Sequence, residues 1–333
     1  MLSQRCIAFD LEGPLSREDA AFELMGLKGV VPGGHDVFRA ISRYDDILAL
    51  AGRPGYEPGE TLALIVPFLL YHKVSSYHIK RLADQATLID GARDVVAELG
   101  ERGYEVFDIT CSYEQYARPV TSRLGLAADH VACTTFPLEE MAARLTPEDI
   151  GAVARVELAL RQRDVQEDDA RLQTLLDAFY WEELPGTPLG DAVALVKPIG
   201  GKRKVGALAK FAMSAQLEIS RWVVVGDSIT DNAMLTTVRD AGGLAVVFNG
   251  NQYALECGTV GVASRAMTHL LPLLEAWENG GLEGARDFVS RSAVGAEAAG
   301  RYYHWLAGVD IAEALTVHAR FRQEVRQAAG TLG

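Results

Sequence analysis

The first clear pattern in the chain is a short apolar run, Cys6-Ile7-Ala8-Phe9, that stops at Asp10. A second acid, Glu12, follows two residues later, and Gly13-Pro14 then turns the chain. This reads as a buried strand with its acids at the tip; the period-two alternation of a strand points Asp10 and Glu12 the same way. From residue 16 to 89 the pattern is helical, with segments at 18–27, 37–51, 62–72 and 76–86 separated by the breaker-rich loop 52–59. Thr61 is the expected N-cap of the third segment. Strand–helix alternation then resumes. A helix over 91–102 closes at Gly103, a strand over 104–109 runs into Thr110-Cys111-Ser112, a helix over 114–124 closes at Gly125, and 130–133 is a short strand. A second helical stretch covers 138–195, with Thr146-Pro147-Glu148-Asp149 as a helix start. The loop 198–204 leads into a helix from Val205. Arg221-Trp222-Val223-Val224-Val225 is the strongest strand signal, and it ends in Gly226-Asp227-Ser228-Ile229-Thr230-Asp231. Residues 244–248 predict one more strand, and the pattern from Ala266 to the end reads as helical, with Tyr302, Tyr303 and Trp305 as packing residues.

These elements predict an α/β protein: a Rossmann-like parallel sheet with a mainly helical cap built from two insertions. The expected core is 1–15 with 90–137 and 196–280. The insertions are 16–89 and 138–195, and 281–333 is a helical extension.

Composition narrows the class. A 49% apolar content supports a substantial core, and a net charge of -13 disfavours broad binding to nucleic acid or anionic membranes. The longest apolar run, 62–71, contains Pro67 and is too short to span a bilayer. The N-terminus lacks a signal pattern, because Asp10 and Glu12 interrupt it. The expectation is a soluble cytoplasmic protein. Cys6, Cys111, Cys133 and Cys257 are scattered without a C-x-x-C pair and read as buried thiols rather than zinc ligands or disulfides.

Four strand-end or loop features carry chemistry: Asp10 with Glu12, Thr110, Lys204, and Asp227 with Asp231. Ligands in open α/β sheets collect at the carboxyl ends of strands. Acids gathered there repel one another unless a cation sits among them, and Mg2+ suits hard oxygen donors. A carboxylate can attack phosphorus. A lysine and a hydroxyl can hold the non-bridging phosphate oxygens. Together these are the parts of a magnesium-dependent phosphoryl-transfer site.

The order of these motifs resembles the haloacid dehalogenase-like superfamily of phosphohydrolases. Gly226-Asp227-Ser228-x-x-Asp231-Asn232-x-Met234-Leu235 is the most specific stretch, and 110–116 resembles the phosphoserine-phosphatase-like members. The resemblance covers about 1–15, 90–137 and 196–265, and the insertions fall where that family places its caps. It implies Asp10 as nucleophile and Glu12 as general acid and base. It implies Mg2+ held by Asp10, the Glu12 main-chain carbonyl and Asp227, with Asp231 in support through water or Lys204. The phosphate-binding hydroxyl falls on Thr110, with Ser112 as its rival and Cys111 between them. Lys204 fits the family lysine, with Lys202 as the alternative. Glu12 departs from the usual Asp, which leaves phosphoryl transfer to another acceptor open beside hydrolysis of a small phosphorylated metabolite. A regulatory or complex subunit with weak catalysis is the third reading. Arg17, Glu18, His35, Arg39, Arg43 and Tyr44 are candidate substrate contacts from the cap, and Lys202, Arg203 and Lys204 could supply positive charge at the site. Oligomeric state is not readable.

Overall fold

The apolar run before Asp10 forms strand β1, Arg5–Phe9, and the other apolar runs line up beside it. The computed structural model describes residues 5–292 and 300–331. The further strands are β2 Tyr104–Tyr113, β3 Val131–Thr134, β4 Trp222–Gly226, β5 Leu244–Phe248, β6 Val260–Ser264 and β7 Arg301–Trp305. They make one sheet in the order β3-β2-β1-β4-β5-β6-β7. Neighbours are parallel except β7, which pairs antiparallel with β6. Both faces are covered. Ile7, Phe9, Val223 and Val225 pack into one core, and Cys6, Ala8, Trp222 and Val224 into the other. Burial on both sides explains why these strands read as continuous apolar runs. With β1 and β4 adjacent, their two acidic tips share one end of the sheet.

Two features of the C-terminal third correct the sequence reading. Residues 301–305 are a strand, not a helix, and 260–264 is a strand that the pattern did not predict. Tyr303 serves packing: it is buried, and its hydroxyl donates to the His269 carbonyl at 2.7 Å. Thr61 is the first residue of a helix whose N-cap is Glu60. Of the expected helical extension, residues 293–299 and 332–333 lie outside the described residues. No helix among the described residues is long and apolar enough to cross a membrane.

The two insertions interlock as one helical cap. Tyr44 on the helix Gly34–Leu50 donates to Asp177 at 2.5 Å, Trp181 donates to the Tyr44 hydroxyl at 2.8 Å, and Tyr180 donates to the Leu64 carbonyl at 2.5 Å. The capping box at Thr146 forms as its sequence predicts, with Asp149 N–H on the Thr146 hydroxyl at 3.1 Å and Thr146 N–H on the Asp149 carboxylate at 2.9 Å.

The last helix, Ile311–Arg326, returns to the sheet. Asp310 caps it, and its buried face runs Ala314, His318, Phe321, Arg322, Val325 and Arg326. His318 accepts the Gly250 N–H at 3.1 Å and is fully buried. Burial, then neighbouring His304, pushes its pKa down to about 3. The unfolded chain therefore takes up a proton near the ordinary histidine pKa that the folded chain refuses. The stability due to the neutral ring is complete above that pKa and is lost as pH falls towards about 3, at about 1.4 kcal/mol per pH unit. His318→Gln is expected to flatten this part of the pH–stability profile in urea unfolding between pH 6.5 and 5. Parallel profiles for the two proteins would contradict it.

Candidate active site

At the tip of β1 the chain is pinned to its neighbour: Asp10 N–H donates to the Val225 carbonyl at 2.8 Å. The Leu11 N–H donates to Asp10 Oδ1 at 2.9 Å and orients the carboxylate. Lys204 lies in the first turn of the helix Lys202–Ala215 and is fully buried. Its Nζ is 2.8 Å from Asp10 Oδ1 and 2.7 Å from Asp231 Oδ1. Burial works against the lysine charge, but Asp10 and Asp231 outweigh it and hold the ammonium well above its usual range. Burial pushes Asp10 up, to about 7, against the pull of Lys204.

Asp231 is committed on both oxygens. Oδ1 takes Lys204, and Oδ2 accepts the N–H groups of Asp227 at 2.9 Å and Ser228 at 3.1 Å. It fixes the lysine and the loop after β4 at once. Gly226 is required there, since a Cβ on it would sit 2.5 Å from Asp231 Cγ.

Glu12 points to the other side. Its Oε1 accepts from the Ser112 hydroxyl and its Oε2 from Ala20 N–H at 3.3 Å. Burial, then the nearby Asp19, pushes this carboxyl up to about 8. Thr110 accepts the Ser112 N–H at 3.1 Å, and Cys111 donates its thiol to the Ile199 carbonyl at 3.2 Å. Burial raises the Cys111 pKa, so its thiol stays protonated.

The structure thus gathers Asp10, Glu12, Thr110, Cys111, Ser112 and Asp227 on one cavity, with Lys204 and Asp231 behind it. Lys202 and Arg203 turn away: they pair with the cap residues Glu57 at 3.5 Å and Glu60 at 2.6 Å. The six cap candidates do not line the cavity. Arg17 pairs with Asp90, Arg39 with Asp36, and Arg43 with Asp169; Tyr44 bonds to Asp177, Glu18 caps Thr87 N–H, and His35 stacks on Phe22. The cap wall is instead Phe38, Ser42, Asp45, Asp46, Thr61 and Leu62.

The C-terminal helix adds two residues that no motif announces. Arg322 and Arg326 both donate to Asp227 Oδ2, the second at 2.9 Å. The only sequence signal is their position: one turn apart, on the same stripe as Ala314, His318, Phe321 and Val325.

The donor set fits a divalent cation. Oxygens of Asp10, Asp227 and Asp231 lie within 4.8 Å of one another. Asp227 Oδ1 is buried without a hydrogen-bond partner among the described residues, while Oδ2 is held by the two arginines. A buried carboxylate oxygen without a partner is costly, and a hard cation satisfies it. Asp231 has no oxygen to spare, so Asp10 and Asp227 are the side chains that would hold the ion, with Asp231 acting through Lys204. The Glu12 carboxylate lies outside this cluster.

Gly13 lies against the same carboxylate. Its φ is +110°, and a Cβ on it would approach Asp227 Oδ2 to 2.3 Å. Because two arginines pin Asp227, it cannot yield. Gly13→Ala is expected to lower kcat/KM for a phosphate ester by about 100-fold, because the turn that carries Asp10 and Glu12 must shift instead. Unchanged kinetics in a folded variant would contradict the contact.

No family model matches the chain, and no curated protein matches it. Solved structures do. Gene product AF1437 from Archaeoglobus fulgidus superposes with a TM-score of 0.85 and 27% identity over 99% of both chains. Phosphoserine phosphatase, captured as a phospho-aspartyl intermediate analogue, superposes with a TM-score of 0.53 and 17% identity over 81% of this chain and 98% of its own. A substrate-bound phosphoserine phosphatase gives 0.53 and 16% over the same shares. The chain has the α/β fold of phosphoserine phosphatase. The likeness to AF1437 extends over nearly the whole of this chain, its two helical insertions and last helix included.

Proposed function

We propose that the chain is a Mg2+-dependent phosphatase of the haloacid dehalogenase type that hydrolyses a small phosphorylated metabolite through an aspartyl-phosphate on Asp10. The observation that carries this reading is the convergence of Asp10, Lys204, Asp227 and Asp231 at adjoining strand tips, with one Asp227 oxygen unsatisfied.

In the first step a carboxylate oxygen of Asp10 bonds to phosphorus as the ester P–O bond breaks. Glu12, which lines the cavity and whose raised pKa favours the protonated form, gives its proton to the departing alkoxide. In the second step Glu12, now ionised, takes a proton from water as that water attacks the phosphorus and frees Asp10. Lys204 and the hydroxyls of Thr110 and Ser112 bind the non-bridging oxygens. Asp10, Asp227 and the Glu12 main-chain carbonyl would hold Mg2+, which neutralises charge on the phosphoryl group when bound. The cap over the strand tips excludes water during the first step.

With p-nitrophenyl phosphate, hydrolysis is expected in Mg2+, background rates after EDTA, and recovery when Mg2+ is restored. A phospho-enzyme that discharges only to added alcohols would contradict hydrolysis, and no reaction under any of these conditions would contradict the phosphoryl-transfer reading altogether.

A further inference from the structure

Arg322 and Arg326 line the same cavity as Asp10, Glu12 and Ser112, yet the chemistry above makes no use of them. They are 5% and 7% exposed. Charge makes their presence informative. Asp10, Asp227 and Asp231 face one ammonium, Lys204, and a divalent cation would balance the rest. Two guanidiniums on a single oxygen of Asp227 are then in excess of what this cluster requires. Asp19, Asp45 and Asp46 line the same cavity and oppose that charge, but Asp19 is engaged in capping Phe22 N–H at 2.8 Å and Asp45 accepts from the hydroxyls of Tyr56 and Thr61, each at 2.6 Å.

Geometry points the same way. The described contacts of Arg326 use Nε, on the Arg17 carbonyl at 3.2 Å, and Nη1, on Asp227. A guanidinium carries five N–H donors in a planar fork suited to carboxylate or phosphate, so donors remain for a ligand. The helix that carries both residues is no detachable strap. Ala314, His318 and Phe321 bury it against the core, and His318 bonds to Gly250.

Resting on the phosphatase reading, we propose that Arg322 and Arg326 form an anion subsite beside the phosphoryl site, selecting phosphomonoesters whose alcohol portion carries a second anionic group. The shared chemistry is a carboxylate or a second phosphate.

The test compares matched substrates with the full chain in Mg2+. One pair is 2-phosphoglycolate against ethyl phosphate; the other is propane-1,3-diyl bisphosphate against propyl phosphate. The member with the extra anion is expected to have a kcat/KM at least about tenfold higher, chiefly through KM, in whichever pair matches the natural group. In Arg326→Met this ratio is expected to fall towards unity, and Arg326→Lys to restore part of it, since a lysine keeps the charge without the fork. No preference in the wild-type protein overturns the proposal, and so does a loss that is equal for both members of each pair, which would place the arginines on the transferred phosphate itself. Calorimetric binding of the same pairs separates this inference from the activity it rests on. Selective binding of the anionic member that Arg326→Met removes, in a protein that hydrolyses nothing, supports the subsite and contradicts the phosphatase reading. Hydrolysis without selectivity does the reverse.

Discussion

Asp10→Asn is expected to lower kcat for aryl phosphate hydrolysis by at least about 10⁴-fold. The amide has nearly the shape of the carboxylate, and its oxygen can still accept the Leu11 N–H that now orients Asp10. It cannot form an acyl phosphate, so the loss should fall on the chemical step. Lys204 keeps Asp231 as its partner, and the variant should fold. The check is steady-state kinetics beside a circular-dichroism spectrum and melting curve. A folded variant within tenfold of wild type would remove Asp10 from its role as nucleophile.

Lys204→Met should have the largest effect on stability. The side chain is 0% exposed and bridges two buried acids, Asp10 at 2.8 Å and Asp231 at 2.7 Å. Methionine fills a similar volume but leaves both carboxylates without their cation. Breaking a buried ion pair from one side costs about 3–5 kcal/mol, because the stranded charge stays buried. Urea unfolding without metal should show that loss as a lower midpoint with an unchanged slope. Mg2+ should restore part of it by binding the same oxygens. A midpoint matching the wild type would mean that the network does not depend on the lysine charge.

Much of the core was legible because three of the candidates, Asp10, Thr110 and Asp227, sit one or two residues beyond an apolar run. Asp10 follows Phe9, Thr110 follows Ile109, and Asp227 follows the run of valines through Gly226, so locating the strand located the acid or hydroxyl. The sheet places the β1 and β4 tips side by side through pairings such as Phe9 with Val225. The last two strands were not legible for local reasons. β6 is only five residues long and contains Gly261. In β7, Arg301-Tyr302-Tyr303-His304-Trp305 mixes aromatics with charge, and a pattern search cannot separate that from a helix flank. Their pairing is tertiary: β7 is held by β6 and by Tyr303 on His269.

The cap contacts failed for the opposite reason. Arg17, Arg39 and Arg43 are conspicuous in the sequence as charges, yet each is satisfied by an acid or carbonyl away from the cavity. Two residues that do reach the cavity from outside the motifs, Arg322 and Arg326, lie 95 and 99 positions from Asp227. Only the chain's return to the sheet brings them there. Charged residues on the buried stripe of an otherwise apolar helix face are the trace they leave in the sequence.

The proposed hydrolysis requires that Asp10 be phosphorylated during turnover. It is tested most directly by quenching the reaction in acid, reducing with borohydride, which converts an aspartyl-phosphate to homoserine, and sequencing the peptides by mass spectrometry. Homoserine is expected at position 10 in substrate-treated protein alone. Unmodified aspartate at position 10 with the phosphoryl group on a different residue would contradict it.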